Sequence, residues 1–359
     1  METLKKAGFL DALPGEFTFR AFMNGKLDLT RCESVMELVS AKTDRGRRHA
    51  VNRLSGVLEK EINEIKNILV GVLAGAEIFL DYSEDEISAD PDEKAGRLPG
   101  QNMAAEACTR LKKLNETWQT EKLYQEGIFA VIAGRPNAGK SSLFNLLLKE
   151  ERSIVTDIPG TTRDWIEAWI SVEGIPVRLT DTAGLREVHE PVEKIGVERS
   201  KALLEEAELV LYIIDGKAGI TPEDMAFISE KKEQKTLLVW NKVDITPPSR
   251  LEIDGNTLIG VSAKTGEGFK ELTAAIAVTI GSQAENATDV SLGTERQKNL
   301  VQAAAAAVEE ALHLAKNDEP LDIIAPLLRE AVNSLGEITG EVSNADILEE
   351  MFCRFCVGK

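Results

Sequence analysis

The spacing of apolar positions changes period along the chain, and each change marks a different kind of element. Between Leu29 and Phe79 they recur three and four residues apart, as Val35, Leu38 and Val39, then Leu54, Val57, Leu58, Ile62, Ile65, Leu69, Val72 and Leu73. That period places them on one helical face and predicts two long helices. It returns from Ala104 to Leu123 through Ala107, Leu111, Leu114 and Trp118, with Gly127 as the stop. From Ile128 the pattern becomes short apolar runs rich in β-branched residues: Ile128 to Ala133, Trp165 to Val172, Ile175 to Thr180, Leu209 to Ile214, Thr236 to Trp240 and Thr257 to Val261. These predict strands, and the second and third, joined through Glu173-Gly174, predict a hairpin. A polar linker runs from Ser282 to Leu292. Helical spacing then resumes at Thr294, through alanine-rich Ala303 to Ala307, Ile323 to Leu335 and Ile347 to Phe352.

Alternating strand and helix over 128–281 reads as a doubly wound, mostly parallel α/β domain. Neither helical flank carries an independent core, so the two are expected to form one all-α bundle into which the α/β domain is inserted. The resulting boundaries are 31–126 and 283–359 for the bundle and 127–282 for the insert. Residues 1–30 hold two turn-rich stretches, Leu13-Pro14-Gly15-Glu16-Phe17 and Met23-Asn24-Gly25-Lys26, and are too few to enclose a core. They read as the end of a larger unit.

Composition narrows the class. Apolar residues make up 43% of the 359, which fits globular domains. The longest apolar run, Ile68 to Leu80, contains Glu77 and is shorter than the ~20 residues a bilayer span needs. Glu2, Asp11 and Glu16 near the start fit neither a signal nor a transit peptide, so a soluble, cytoplasmic protein is expected. Sixty acidic against 42 basic residues give a formal charge of −18, which excludes broad nucleic-acid binding by the whole surface. Locally, Arg45-Gly46-Arg47-Arg48-His49 and Arg53 could meet RNA phosphates, but a charge run of this kind is expected to be a solvated helix face. His49 has no sequence neighbour that would make it a ligand or a catalyst. Asp81 to Glu93 is acidic without the ordered ligands of an EF-hand and reads as a loop. Four cysteines are too few for a disulfide framework.

The chemistry centres on Gly134-Arg135-Pro136-Asn137-Ala138-Gly139-Lys140-Ser141-Ser142, a GxxxxGK[ST] loop between a strand and a helix. Its glycines let backbone N–H groups approach the phosphates of a nucleotide, with Ala138, Gly139 and Ser142 contributing to the cradle. Lys140 would reach the β- and γ-phosphates and Ser141 would hold Mg²⁺. Asp181-Thr182-Ala183-Gly184 ends a strand; Asp181 would hold Mg²⁺ through water and Gly184 would approach the γ-phosphate. Asn241-Lys242-Val243-Asp244 places a carboxylate where guanine, unlike adenine, offers two N–H donors, so Asp244 implies GTP. Ser262-Ala263-Lys264 would bring backbone N–H groups to the guanine O6. Gly160-Thr161-Thr162-Arg163-Asp164 supplies a hydroxyl for Mg²⁺, assigned to Thr162. Leu185 stands where Ras-like enzymes carry a water-orienting glutamine, so another residue must place the nucleophile, and Arg186, Glu187, Glu190 and Glu193 are in reach.

These motifs, with the terminal Phe355-Cys356-Val357-Gly358-Lys359, resemble the tRNA-modification GTPase MnmE (TrmE) family, and the resemblance runs the length of the chain. It implies hydrolysis of GTP to GDP and phosphate, and work with the flavoprotein MnmG in adding a carboxymethylaminomethyl group at C5 of the tRNA wobble uridine. It also implies K⁺ held by Asn137 and by Thr156, Ile158 and Thr161, with the ion acting where two G domains self-associate as a dimer. By the same resemblance Glu193 orients the attacking water, and Cys356 in the terminal CVGK that ends at Lys359 serves the tRNA reaction. The family's N-terminal domain binds a tetrahydrofolate derivative, and only residues 1–30 correspond to it here. Cys353 and Cys356 form a CxxC, but a zinc site needs a second pair that Cys32 and Cys108 do not supply in tandem. The competing reading is a ribosome-assembly or regulatory switch GTPase without RNA chemistry of its own.

Overall fold

The structure, a computed structural model, describes residues 6, 8, 10–81, 98–151, 167–181, 201–230, 234–248, 252–253, 255–281, 290–342 and 352. In chain order its elements are helices α1 (Glu16–Met23), α2 (Leu29–Ser40), α3 (Asp44–Leu54), α4 (Val57–Asp81) and α5 (Gln101–Glu126), then strand β1 (Ile128–Gly134), α6 (Lys140–Glu150), β2 (Glu167–Val172) and β3 (Ile175–Asp181). There follow β4 (Leu209–Asp215), α7 (Pro222–Glu230), β5 (Thr236–Asn241), β6 (Glu252–Ile253), β7 (Asn256–Val261), α8 (Phe269–Ile280), α9 (Glu295–Lys316) and α10 (Leu321–Thr339). The chain divides into two compact units, one of residues 1–41, 47–122 and 288–359, the other of residues 42–46 and 123–287. No described helix is long and apolar enough to cross a membrane.

The first unit is helical, and its main core draws on both flanks. Leu58, Ile62, Ile65 and Leu69 of α4 and Leu111 of α5 share one apolar cluster with Val301 and Val308 of α9 and Ile324, Leu328 and Leu335 of α10. Each such side chain contributes about 1.5–3 kcal/mol when buried, so neither flank keeps its core without the other. Ala304, Ala307 and Ala311 turn the small face of α9 inward, which shortens the distance at which a neighbouring helix can pack. A smaller cluster joins Leu29 and Cys32 to Phe352, with Phe22 and Leu27 against it.

Two expectations are corrected in this unit. The stretch from Leu29 to Phe79 forms three helices, not two. Asp28 caps α2 by accepting from the N–H groups of Thr30 and Arg31, and Thr43 accepts from Gly46 N at the start of α3. Gly56, at φ 93°, separates α3 from α4, and a Cβ there would lie 2.0 Å from Arg31 Nη2. The basic run is also not a uniformly solvated face. Arg47 and Arg48 are exposed, but Arg53 is 1% exposed. It donates from Nε to Glu37 Oε2 (2.8 Å), and from Nη1 to Glu121 Oε2 (2.8 Å) and Ser291 Oγ (2.9 Å). His49 pairs through Nδ1 with the other oxygen of Glu121. Burial pushes the Glu37 carboxyl up against the pull of Arg53, whereas at Glu121 the bonds from His49 and Arg53 outweigh burial and hold it down. A guanidinium with two carboxylates around it tolerates burial that a lone charge would not.

The second unit is a seven-stranded sheet in the order β2-β3-β1-β4-β5-β7-β6, parallel except for the outer pairs β2–β3 and β6–β7. The β2–β3 hairpin turns through Glu173 and Gly174, at φ 50° and 82°. Two consecutive left-handed residues match the twist of the strands they join. One apolar cluster covers one face with Leu143, Phe144 and Leu147 of α6 and Leu272 and Ile276 of α8; the other face buries Val131, Val210, Tyr212 and Trp240. Of the five central parallel strands, β3, β1, β4 and β5 end at Asp181, Gly134, Asp215 and Asn241. In such sheets ligands bind at the carboxyl ends of the strands.

Candidate nucleotide-binding site

The loop from Gly134 to Lys140 owes its path to backbone conformations that few side chains permit. Gly134 has φ 141°, and a Cβ there would come 2.4 Å from the carbonyl oxygen of Ile213 on β4. Asn137 takes φ 62°. Gly139, at φ 97°, precedes α6, and a Cβ there would meet Asn241 Nδ2 at 2.1 Å. Lys140 opens the helix and folds back, its Nζ donating to the carbonyls of Gly134 (2.9 Å) and Arg135 (2.8 Å). No side chain caps α6, so its first turn, with Ser141 and Ser142, presents N–H groups and the positive end of the helix dipole at the loop.

Beside that turn, Ser141 Oγ donates to Asp181 Oδ2 at 2.7 Å. Asp181 is buried at the end of β3, where its register partner is Ile132 of β1. The structure thus brings together a hydroxyl and a carboxylate that the sequence had placed forty positions apart. A hard divalent cation takes oxygen ligands of this kind, so the pair fits Mg²⁺.

Asn241 ties the phosphate loop to the two loops that follow β5 and β7. It is buried, donates from Nδ2 to Ala138 O (2.8 Å), and accepts at Oδ1 from the N–H groups of Lys242 (2.8 Å) and Ala263 (3.0 Å). Lys242, at φ 70°, reaches back over the loop to Asn137 O (3.0 Å) and Asp215 Oδ2 (2.7 Å). Asp244 is exposed two residues further on. Ser262 is fully buried; its Oγ accepts from Thr265 N and its carbonyl from Gly266 N, which curls the segment carrying Ala263 and Lys264.

Sequence reasoning missed Asp215. Burial raises its pKa, but bonds from Lys242 and from the N–H groups of Lys217 and Ala218 prevail and hold it below the usual carboxylate value. Its signal was present: like Asp181, it follows directly on an apolar strand. Thr156, Ile158, Thr161, Thr162, Gly184, Leu185, Glu193, Cys356 and Lys359 lie outside the described residues.

The sheet order, the glycine loop at the foot of α6 and the Asn241 bridge define a P-loop domain of the GTPase type. Among solved structures, it is similar to Era of Aquifex aeolicus (24% identity, 50% of this chain and 66% of that one, TM-score 0.35) and to the G domain of the T. maritima iron transporter FeoB (29% identity, 42% and 98%, TM-score 0.31). Residues 29–356 match the model of the MnmE helical domain. Over 361 residues, all of this chain and 79% of the relative, it is 42% identical to the tRNA modification GTPase MnmE of Aquifex aeolicus. Over 368 residues, all of this chain and 78% of the relative, it is 40% identical to the tRNA modification GTPase MnmE of Alkaliphilus metalliredigens. The chain belongs to the MnmE family.

Proposed function

We propose that this protein hydrolyses GTP to GDP and phosphate as part of tRNA modification. The observation that carries the reading is the Asn241 bridge: one buried side chain links the phosphate loop at Ala138 to the guanine-reading loops at Lys242 and Ala263. The base pocket and the phosphate cradle are therefore held in register. Asp244 accepts the two guanine N–H groups. The backbone N–H groups of Ser262-Ala263-Lys264, held by Asn241 at Ala263, serve the guanine O6.

Gly134, Ala138, Gly139, Lys140, Ser141 and Ser142 hold the phosphates by backbone N–H groups and the lysine ammonium. Ser141 and Asp181, with Thr162, would hold Mg²⁺, which when bound neutralises charge on the β- and γ-phosphate oxygens. Asn137 is exposed at the rim of the loop with its backbone carbonyl held by Lys242. That supports its amide as a ligand for K⁺ alongside Thr156, Ile158 and Thr161, at the place where two G domains meet. Leu185 cannot orient the attacking water, and the resemblance to the family gives that role to Glu193.

In the finer reading the GTPase acts with the flavoprotein MnmG on the tRNA wobble uridine, and Cys356 and Lys359 belong to that step. The test is mass spectrometry of wobble uridines in a strain lacking this gene, complemented by the parent or by Asn241→Ala. Loss of the C5 carboxymethylaminomethyl group, restored by the parent alone, is the expected result; unchanged uridines in the deleted strain would leave a GTPase of another pathway.

A further inference from the structure

A short piece of chain about eighty residues before β1 is a working part of the nucleotide domain. Residues 42–46 cluster with it, although 44–46 open α3, whose remainder clusters with the helical unit. Lys42 Nζ sits 3.5 Å from the centroid of the Trp169 ring on β2 and donates to Glu126 O at 3.4 Å. The Arg45 guanidinium lies 4.1 Å from the centroid of Tyr124, a ring that is 1% exposed. The stem of Arg45 runs along the hairpin turn, where a Cβ on Gly174 would meet Arg45 Cβ at 3.0 Å and Cδ at 3.1 Å. Thr43, buried between them, fixes the spacing by accepting from Gly46 N.

These contacts fall on the β2–β3 hairpin or on the last turn of α5, which leads through Gly127 into β1. Gly127, between α5 and β1, passes so close to the hairpin that a Cβ would lie 1.9 Å from Pro176 O. The hairpin needs support because β2 stands at the edge of the sheet, with β3 as its one ladder neighbour among the described residues. It also carries the reactive end of the site. β3 terminates in Asp181, which meets Ser141, and β2 starts five residues after Thr162 in sequence.

We propose that Lys42 and Arg45 are positioning residues for GTP hydrolysis: by stacking on Trp169 and Tyr124 they clamp the β2–β3 hairpin, and so fix where Asp181 stands against Ser141. Lys42 holds the hairpin directly at Trp169, and Arg45, anchored on Tyr124, braces its turn at Gly174. The phosphate loop leaves the far end of β1, and the Asn241 bridge stands on the ends of β5 and β7, so neither touches Lys42 or Arg45. The inference rests on the GTPase reading for its effect on turnover, but not for the clamp itself.

The test compares the full-length parent with Lys42→Ala/Arg45→Ala and with Lys42→Arg. In the double variant, amide hydrogen exchange over 167–181 should quicken by roughly three- to thirtyfold, the range two cation–aromatic contacts span. Turnover of GTP should fall, and the Mg²⁺ concentration for half-maximal rate should rise, by a similar factor. GDP affinity measured in EDTA should stay within about twofold of the parent, and Lys42→Arg, which keeps the cation over the ring, should behave as the parent. Unchanged exchange over 167–181 would overturn the clamp. Quickened exchange with parental turnover and Mg²⁺ response, or a matching loss of GDP affinity in EDTA, would overturn the positioning role. A parent that turns over no GTP would instead refute the GTPase reading, leaving exchange to judge the clamp.

Discussion

Asp244 and Asn241 stand three residues apart, yet they answer to different constraints. Asp244 is exposed, and its proposed partner is a base. Asp244→Asn should therefore leave the thermal midpoint of the protein near the parent's while weakening GDP by about 2–5 kcal/mol and favouring xanthosine diphosphate, as calorimetric titration of both nucleotides would show. Asn241 is buried with three protein partners, and Asn241→Ala strands a carbonyl and two N–H groups at once. About 2–4 kcal/mol of domain stability should go with it, together with GTP binding, readable by denaturant unfolding in the absence of nucleotide. The motif at 241–244 was legible because its residue types and spacing fit the base it is proposed to read. The bridge through Asn241 was not, since it depends on Ala138 and Ala263, residues whose only relevant groups are backbone and leave no mark in a sequence. Asp215 falls between these cases: its position after an apolar strand was readable, its partner Lys242 was not.

At the scale of elements, periodicity served well where a single face was buried and failed where polar contacts did the packing. The hairpin was visible because Glu173-Gly174 separates two strand-like runs and both residues take positive φ. The two-residue β6 offers no pattern to read. The break between α2 and α3 was overlooked because the basic run was read as part of the first long helix; the chain leaves α2 at Ala41, and Thr43 accepts from Gly46 N to start α3. The basic run over α3 misled for a related reason. Charge in sequence cannot tell a solvated arginine from one surrounded by Glu37, Glu121 and Ser291, which lie far from it along the chain. Removing Arg53 leaves two buried carboxylates without their cation, so Arg53→Met should cost about 3–5 kcal/mol in urea unfolding. Adding Glu37→Gln and Glu121→Gln to Arg53→Met should recover part of that loss, whereas a mere packing defect would only deepen.

For the whole molecule, the proposed pairing of G domains around K⁺ predicts a rate that depends on concentration. GTP turnover per chain should rise with protein concentration in KCl, stay low in NaCl at matched ionic strength, and lose its K⁺ response in Asn137→Ala. A K⁺-stimulated rate that is flat from nanomolar to high micromolar, with the protein monomeric throughout, would remove pairing from the mechanism. The shared core of α4, α5, α9 and α10 bears on a different matter, the order in which the molecule can be made. When α5 leaves the ribosome, its apolar partners on α9 have not been translated, and the whole of 127–294 must be synthesised first. At ~5–20 residues per second that interval is on the order of ten to thirty seconds. The nucleotide domain has all but five of its residues in one continuous stretch and can complete its sheet during that wait. The nascent α4 and α5 must meanwhile keep Leu58, Ile62, Ile65 and Leu111 out of wrong company, which makes them the part of the chain with most need of a chaperone.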